Sequence, residues 1–142
     1  MTTRYNRYDY EEAVAIILRA SAILALKWTN RGFKLKRGSE VKRVCIIGAL
    51  DIATKQITKK PYIDTHPATT IVQNTAIKLF GVSAVTVNDD LGYAMTMALM
   101  AEAANEGFKY VIGTSPILKR NVSEATGDYT PKRKVSEITT ED

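Results

Sequence analysis

The ten residues VCIIGALDIA at positions 44–53 constrain the fold more than any other stretch, because Asp51 is their only charge. Wound as a helix, the run is apolar nearly all round, and such a helix has to be covered on most of its sides. The spacing predicts a helix over residues 41–55 at the centre of the fold. Gly48 inside it costs about 1 kcal/mol relative to Ala, which a close helix crossing would offset.

The flanking segments supply what covers it. Asp9 reads as an N-cap, with Glu12 three residues on completing a capping-box-like pair. Ala13, Ile16, Ile17, Ala20, Ile23 and Leu24 then recur at three- and four-residue spacing, and Asn30 and Gly32 end that first helix. After a loop, Pro67 fits the first position of a third helix capped by His66 or Thr65. Ala68, Ile71, Val72, Thr75, Ala76 and Leu79 form its face, and Gly81 stops it. Asn88 or Asp89 introduces a fourth helix over residues 90–106, dense in alanine, with Gly107 as its stop. Three short stretches have strand character: FKLK at 33–36, broken by Gly38; the β-branched VSAVTV at 82–87; and FKYVIG at 108–113. The expected class is α+β, mainly helical: a compact four-helix domain with a minor two- or three-stranded β element.

At 142 residues the chain suits one domain able to bury roughly 68% of its unfolded surface. Residues 1–8 read as an N-terminal arm, 9–113 as a single globular domain, and 114–142 as a C-terminal tail ordered only on contact. Tyr5, Tyr8 and Tyr10 at one end, and Ile117, Leu118, Val122 and Tyr129 at the other, are sparse apolar anchors that suit a protein partner or homo-oligomer. No apolar run approaches the ~20 residues that span a bilayer, and the N-terminus lacks a hydrophobic leader. A cytoplasmic protein without membrane contact is therefore expected. The chain has one cysteine and one histidine, which excludes an intramolecular disulfide and argues against a closed zinc site. Neither a metal nor another cofactor is expected.

Positive charge is concentrated. Lys27, Arg31, Lys34, Lys36, Arg37, Lys42 and Arg43 face a single acid, Glu40, across residues 27–43. Such a run suits the phosphates of a nucleic acid or nucleotide, with Trp28, Phe33, Tyr5 or Tyr8 to stack on bases. It equally suits a solvated face that keeps a small protein soluble. No helix-turn-helix, zinc-finger or RRM signature accompanies it.

Two further constellations involve chemistry-bearing residues. Cys45 follows Lys42 and Arg43 near a helix start, where a thiolate is favoured. With His66 as base and Asn88 or Asp89 as orienting group it would complete a Cys-His-Asn arrangement for a hydrolase or transferase. Val44, Ile46 and Ile47 surround it, however, and unpaired cysteine is among the most buried residue types, so a packing role is the expectation. In NDDLG at 88–92 the carboxylate spacing misses the calcium-loop pattern. A helix cap is the simpler role for Asn88 or Asp89.

Taken in order, Trp28-Thr29, Cys45-x-x-Gly48-Ala49-Leu50, Ala76-x-x-Leu79-x-Gly81 and Val87-Asn88-Asp89-x-x-Gly92, followed by an alanine-rich helix, resemble a family of small uncharacterised proteins. That family is a domain of unknown function found in actinobacteria and bacteriophages. The resemblance covers roughly residues 9–107. In the family pattern an aromatic residue precedes the Asn-Asp pair and an arginine follows the glycine; Val87 and Tyr93 stand there instead, so no ligand role for that arginine carries over. The resemblance implies a compact, often phage-borne protein without established activity. The expected function is a non-enzymatic binding or interaction protein, a phage accessory factor acting on a host component or nucleotide ligand. The alternatives are a nucleic-acid-associated protein using residues 27–43 and a cysteine-dependent enzyme.

Overall fold

A computed structural model describes residues 5–62 and 65–114. In chain order these form α1 (Arg7–Lys27), β1 (Lys34–Arg37), β2 (Glu40–Val44), α2 (Ile46–Thr58), α3 (Pro67–Phe80), the single turn α4 (Ala84–Thr86), a π-helical turn (Val87–Leu91) and α5 (Tyr93–Gly113). The fold is mainly helical α+β, with four long helices and one two-stranded antiparallel sheet. The expected anchors Ile117, Leu118, Val122 and Tyr129 lie outside the described residues. No single helix among the described residues is long and apolar enough to cross a membrane.

Helix α1 starts earlier than expected, inside the stretch read as an arm. Asn6 is its N-cap: Asn6 Oδ1 accepts from the Asp9 backbone N–H and Asp9 Oδ2 accepts from the Asn6 N–H, each at 2.9 Å. This is a reciprocal capping box, with Asp9 as its far partner and not its cap. Ala13, Ile16, Ile17, Ala20 and Leu24 form the buried face. Helix α1 packs against α2, α3 and α5, so α1 is the hub of the bundle and α2 lies chiefly against it. Ile46, Ala49, Leu50 and Ala53 of α2 face that core.

The expected helix over residues 41–55 divides into strand and helix. Residues 40–44 belong to β2 and Cys45 is the N-cap of α2. The hairpin explains Gly48: a Cβ there would lie 2.3 Å from the Phe33 carbonyl oxygen. The close approach is therefore of hairpin backbone onto α2, not of helix onto helix. Strand β1 pairs Lys34 with Val44, Leu35 with Arg43, Lys36 with Val41 and Arg37 with Glu40. The register shift between Leu35 and Lys36 leaves Lys42 as the extra residue of a bulge. The two-residue loop Gly38-Ser39 closes the hairpin with positive φ at Gly38 alone (64°), the signature of a type II′ turn.

Two expected strands are helical. Across residues 82–87 the buried positions are Ala84 and Val87, three apart, so the tertiary pattern overrides β-branched propensity. Ser83 caps the turn, and Gln73 Oε1 accepts from the Ala84 N–H at 2.9 Å. Residues 108–113 continue α5, because Val111 extends the buried column Leu99, Ala103 and Gly107 at four-residue intervals. Gly107 is no stop. A Cβ on it would meet Val14 Cγ2 at 2.8 Å, so it is where α1 and α5 approach.

Candidate functional site

Asn88 sits in the π-helical turn and is fully buried. It does not cap α5, whose N-cap is Gly92 without a side-chain bond. Its Oδ1 accepts from Trp28 Nε1 and from the Ile46 backbone N–H, both at 2.9 Å. Its Nδ2 donates to the Thr29 carbonyl and to Asp89 Oδ1, both at 3.1 Å. Two donors on the oxygen and two acceptors on the nitrogen use the amide's whole capacity and fix its orientation. Asn88 thereby ties the end of α1, the start of α2 and the π-helical turn together. Trp28, considered above for stacking on bases, packs edge-on against Tyr93 with ring centroids 5.7 Å apart.

Cys45 and His66 stand at opposite ends of α2. Cys45 is half-buried, and its Sγ accepts from the Gly48 N–H at 3.5 Å; the residue is a helix cap at the edge of the core. It lines an open cleft of about 510 Å³ with Arg31, Phe33, Ile47, Val85 and Asp89. His66 caps α3, its Nδ1 accepting from the Ala68 N–H at 3.0 Å. That bond leaves Nε2 to carry the proton toward Glu12 Oε1, 2.9 Å away. His66 shares a different cleft with Glu12, Thr54 and Thr58. From Cys45 to Thr54 the helix rises about 14 Å, so thiol and imidazole do not meet. Of the residues considered for a thiol mechanism, only Cys45 and Asp89 share a cleft, and Asn88 is occupied with structural bonds. Among the described residues no cluster of three His, Cys, Asp or Glu could hold a metal.

The basic run proves to be two populations. Lys27 and Lys34 turn inward and are half-buried. Lys27 Nζ donates to the Val41 carbonyl at 3.0 Å, and Lys34 Nζ pairs with Asp51 Oδ2. Lys55 joins the same carboxylate at 3.3 Å. Burial pushes the Asp51 pKa up, but the hydrogen bonds and charges of Lys34 and Lys55 outweigh it and hold the carboxyl below its ordinary value. Lys42 reaches Glu40 at 3.2 Å on the surface. Arg31, Lys36, Arg37 and Arg43 are exposed and form no ion pair among the described residues. Phe33, at the hairpin base, is 48% exposed. The sequence showed the charge density but not this division; the single acid in the otherwise apolar run 44–53 was the available sign of a buried ion pair.

Comparison with family models, with curated proteins and with solved structures finds no match.

Proposed function

We propose that this protein is a non-enzymatic binding protein whose contact surface is the β1–β2 hairpin and whose ligand is the phosphate backbone of a nucleic acid. The observation that supports this reading is the outward group Arg31, Lys36, Arg37 and Arg43, exposed and unneutralised within the described residues. A two-stranded ribbon is narrow enough to follow a nucleic-acid groove. Its backbone is fastened at both sides of its base, to the cap of α2 through Cys45 N–H to the Phe33 carbonyl (3.1 Å) and to the end of α1 through Thr29 N–H to the Val44 carbonyl (2.8 Å). A role as a phage accessory factor acting on a host component is carried by the motif resemblance.

The test is fluorescence anisotropy with a labelled duplex and a labelled single strand across a salt series. Four phosphate contacts on a duplex give a slope of log K against log salt of about −3.6, hence a loss of about 10²-fold between 50 and 200 mM. The variant Arg31→Ala/Lys36→Ala/Arg37→Ala/Arg43→Ala is expected to lose most of the affinity and to flatten that slope while remaining folded. Binding that is unchanged in the variant, or insensitive to salt, would overturn the proposal.

A further inference from the structure

Helix α1 carries a second apolar face, opposite the one it buries. Ala15, Leu18, Ala22, Ala25 and Leu26 are all exposed. Leu26 is 79% and Leu18 56% exposed, the former more than any other large apolar side chain among the described residues. Positions 15, 18, 22 and 25 step by three, four and three, the spacing of a helix–helix seam. The cleft beside it, about 260 Å³ and lined in part by Ala22, Ile23, Leu26 and Ile52, extends the apolar surface onto α2. Arg19, which would otherwise sweep across this face, is drawn back by a 2.7 Å bond from its Nε to Gln56 Oε1. The inner face already suffices to pack α1 against α2, α3 and α5. Folding of the single chain therefore gives no reason for the outer stripe.

We propose that this outer face of α1 is a homodimer seam, in which two copies of α1 pack antiparallel about a two-fold axis passing Ala22. The occupant follows from the symmetry of the stripe and from its charge. Leu18 and Leu26 lie four residues to either side of Ala22, about 6 Å each way along the axis. An antiparallel pair thus sets each Leu18 against the other copy's Leu26 and places alanine on alanine where the backbones come closest. Such a patch is self-complementary, as a two-fold interface requires. The ends of the helix differ in charge: in the first turns Asp9, Glu11 and Glu12 outnumber Arg7, which lies 3.6 Å from Glu11, with Glu11 continuing the seam, and the exposed Arg31 lies just past the other end. Antiparallel pairing brings the acidic end of each copy to the basic end of the other and opposes the two helix dipoles. Parallel pairing would stack like charges. This surface is separate from the outward hairpin cations, apart from Arg31, and does not depend on their role.

The experiment is sedimentation velocity of the full chain from about 1 to about 500 μM, the span in which an interface smaller than the standard ~800 Å² per partner associates. The weight-average mass is expected to rise toward twice that of the chain. Leu26→Glu should keep the protein monomeric throughout, with its helical circular dichroism and thermal midpoint unchanged, since that side chain is exposed. Glu11→Lys should weaken association several-fold, and adding Arg31→Glu should restore it. In a Cys45→Ser background, Ala22→Cys should form a disulfide between copies on mild oxidation. A monomer at every concentration, association untouched by Leu26→Glu, or growth beyond two copies would each overturn the proposal.

Discussion

Replacing Asn88 with Ala removes an amide bonded at both ends and leaves its partners in place. The Ile46 N–H, the Thr29 carbonyl and the Trp28 indole N–H, bonded at 2.9, 3.1 and 2.9 Å, all lose that amide as a partner. An orphaned buried polar group costs about 1–3 kcal/mol. With the part-buried indole counted at the low end, the expected loss is about 3–7 kcal/mol. For a chain of this size each kcal/mol moves the midpoint by about 3 °C, so Asn88→Ala should melt about 9–21 °C lower. Urea and thermal unfolding followed by the fluorescence of Trp28, the only tryptophan, measure this directly and report on the bonded indole itself. Asn88→Asp separates the bonds from the volume. It keeps an oxygen for the two N–H donors but turns a second oxygen toward the Thr29 carbonyl and Asp89 Oδ1. It should therefore be comparably unstable at neutral pH and recover partly in acid, once protonation restores a donor. A loss below about 1 kcal/mol for Asn88→Ala would refute the claim that this side chain fastens three elements, since even one orphaned buried group should exceed it.

Gly48→Ala should be strongly destabilising for a helix interior, where Gly→Ala normally gains about 1 kcal/mol. The added Cβ would meet the Phe33 carbonyl oxygen at 2.3 Å, so denaturation midpoints that rise in the variant would contradict the contact. Asp51 gives a pH dependence of fixed sign. Its folded pKa is held below the ordinary 3.8, so it stabilises fully above about pH 5, and this contribution is lost as pH falls through the lowered folded value. Urea midpoints measured between about pH 7 and pH 2.5 should show that acid loss in the native sequence and a smaller one in Asp51→Asn. The variant should also be less stable at pH 7, where Lys34 keeps its charge without its partner; equal acid losses in the two proteins would be the contrary result.

The helices were legible because their buried faces follow simple periods: Ala13, Ile16, Ile17, Ala20 and Leu24 on α1, and Ala68, Ile71, Val72, Thr75 and Ala76 on α3. A strand near FKLK was also legible, but it spans Lys34–Arg37 and turns Lys34 inward, leaving Phe33 and Leu35 exposed; Gly38 was legible by the turn it permits. Where structure and sequence pattern part, tertiary burial overrides local propensity. The valines at 82–87 resemble a strand until one sees that Ala84 and Val87, three apart, are the buried pair. Gly107 resembles a stop until α1 is placed against it. The same limit applies to the chemistry-bearing residues. Asn88 beside two acids is the composition of a helix cap, and nothing local shows that its partners are Trp28, Thr29 and Ile46, about 40 to 60 positions away. The seven cations of residues 27–43 look alike in sequence, and only the proximity of Asp51 and of the Val41 carbonyl separates the inward pair from the rest.

That separation bears on the proposal that a small hairpin serves as a binding surface. An isolated two-stranded ribbon is marginally stable in water, and one carrying five cations, Lys34, Lys36, Arg37, Lys42 and Arg43, repels itself as well. Here its base is fixed by Lys34 on Asp51, by Lys27 on the Val41 carbonyl, and by the Phe33 carbonyl over Gly48, which no larger residue would allow. With the backbone held, the outward arginines lose less freedom on meeting a ligand than they would on a loose loop. If the hairpin is the contact surface proposed above, the inward lysines support it indirectly: Lys34→Ala should leave the outward charge intact and still weaken polyanion binding by freeing the strand. If the outward charges alone mattered, Lys36→Ala would weaken binding and Lys34→Ala would leave it unchanged. A loss in Lys34→Ala, with the hairpin amides exchanging faster by hydrogen exchange, is what a fastened ribbon requires.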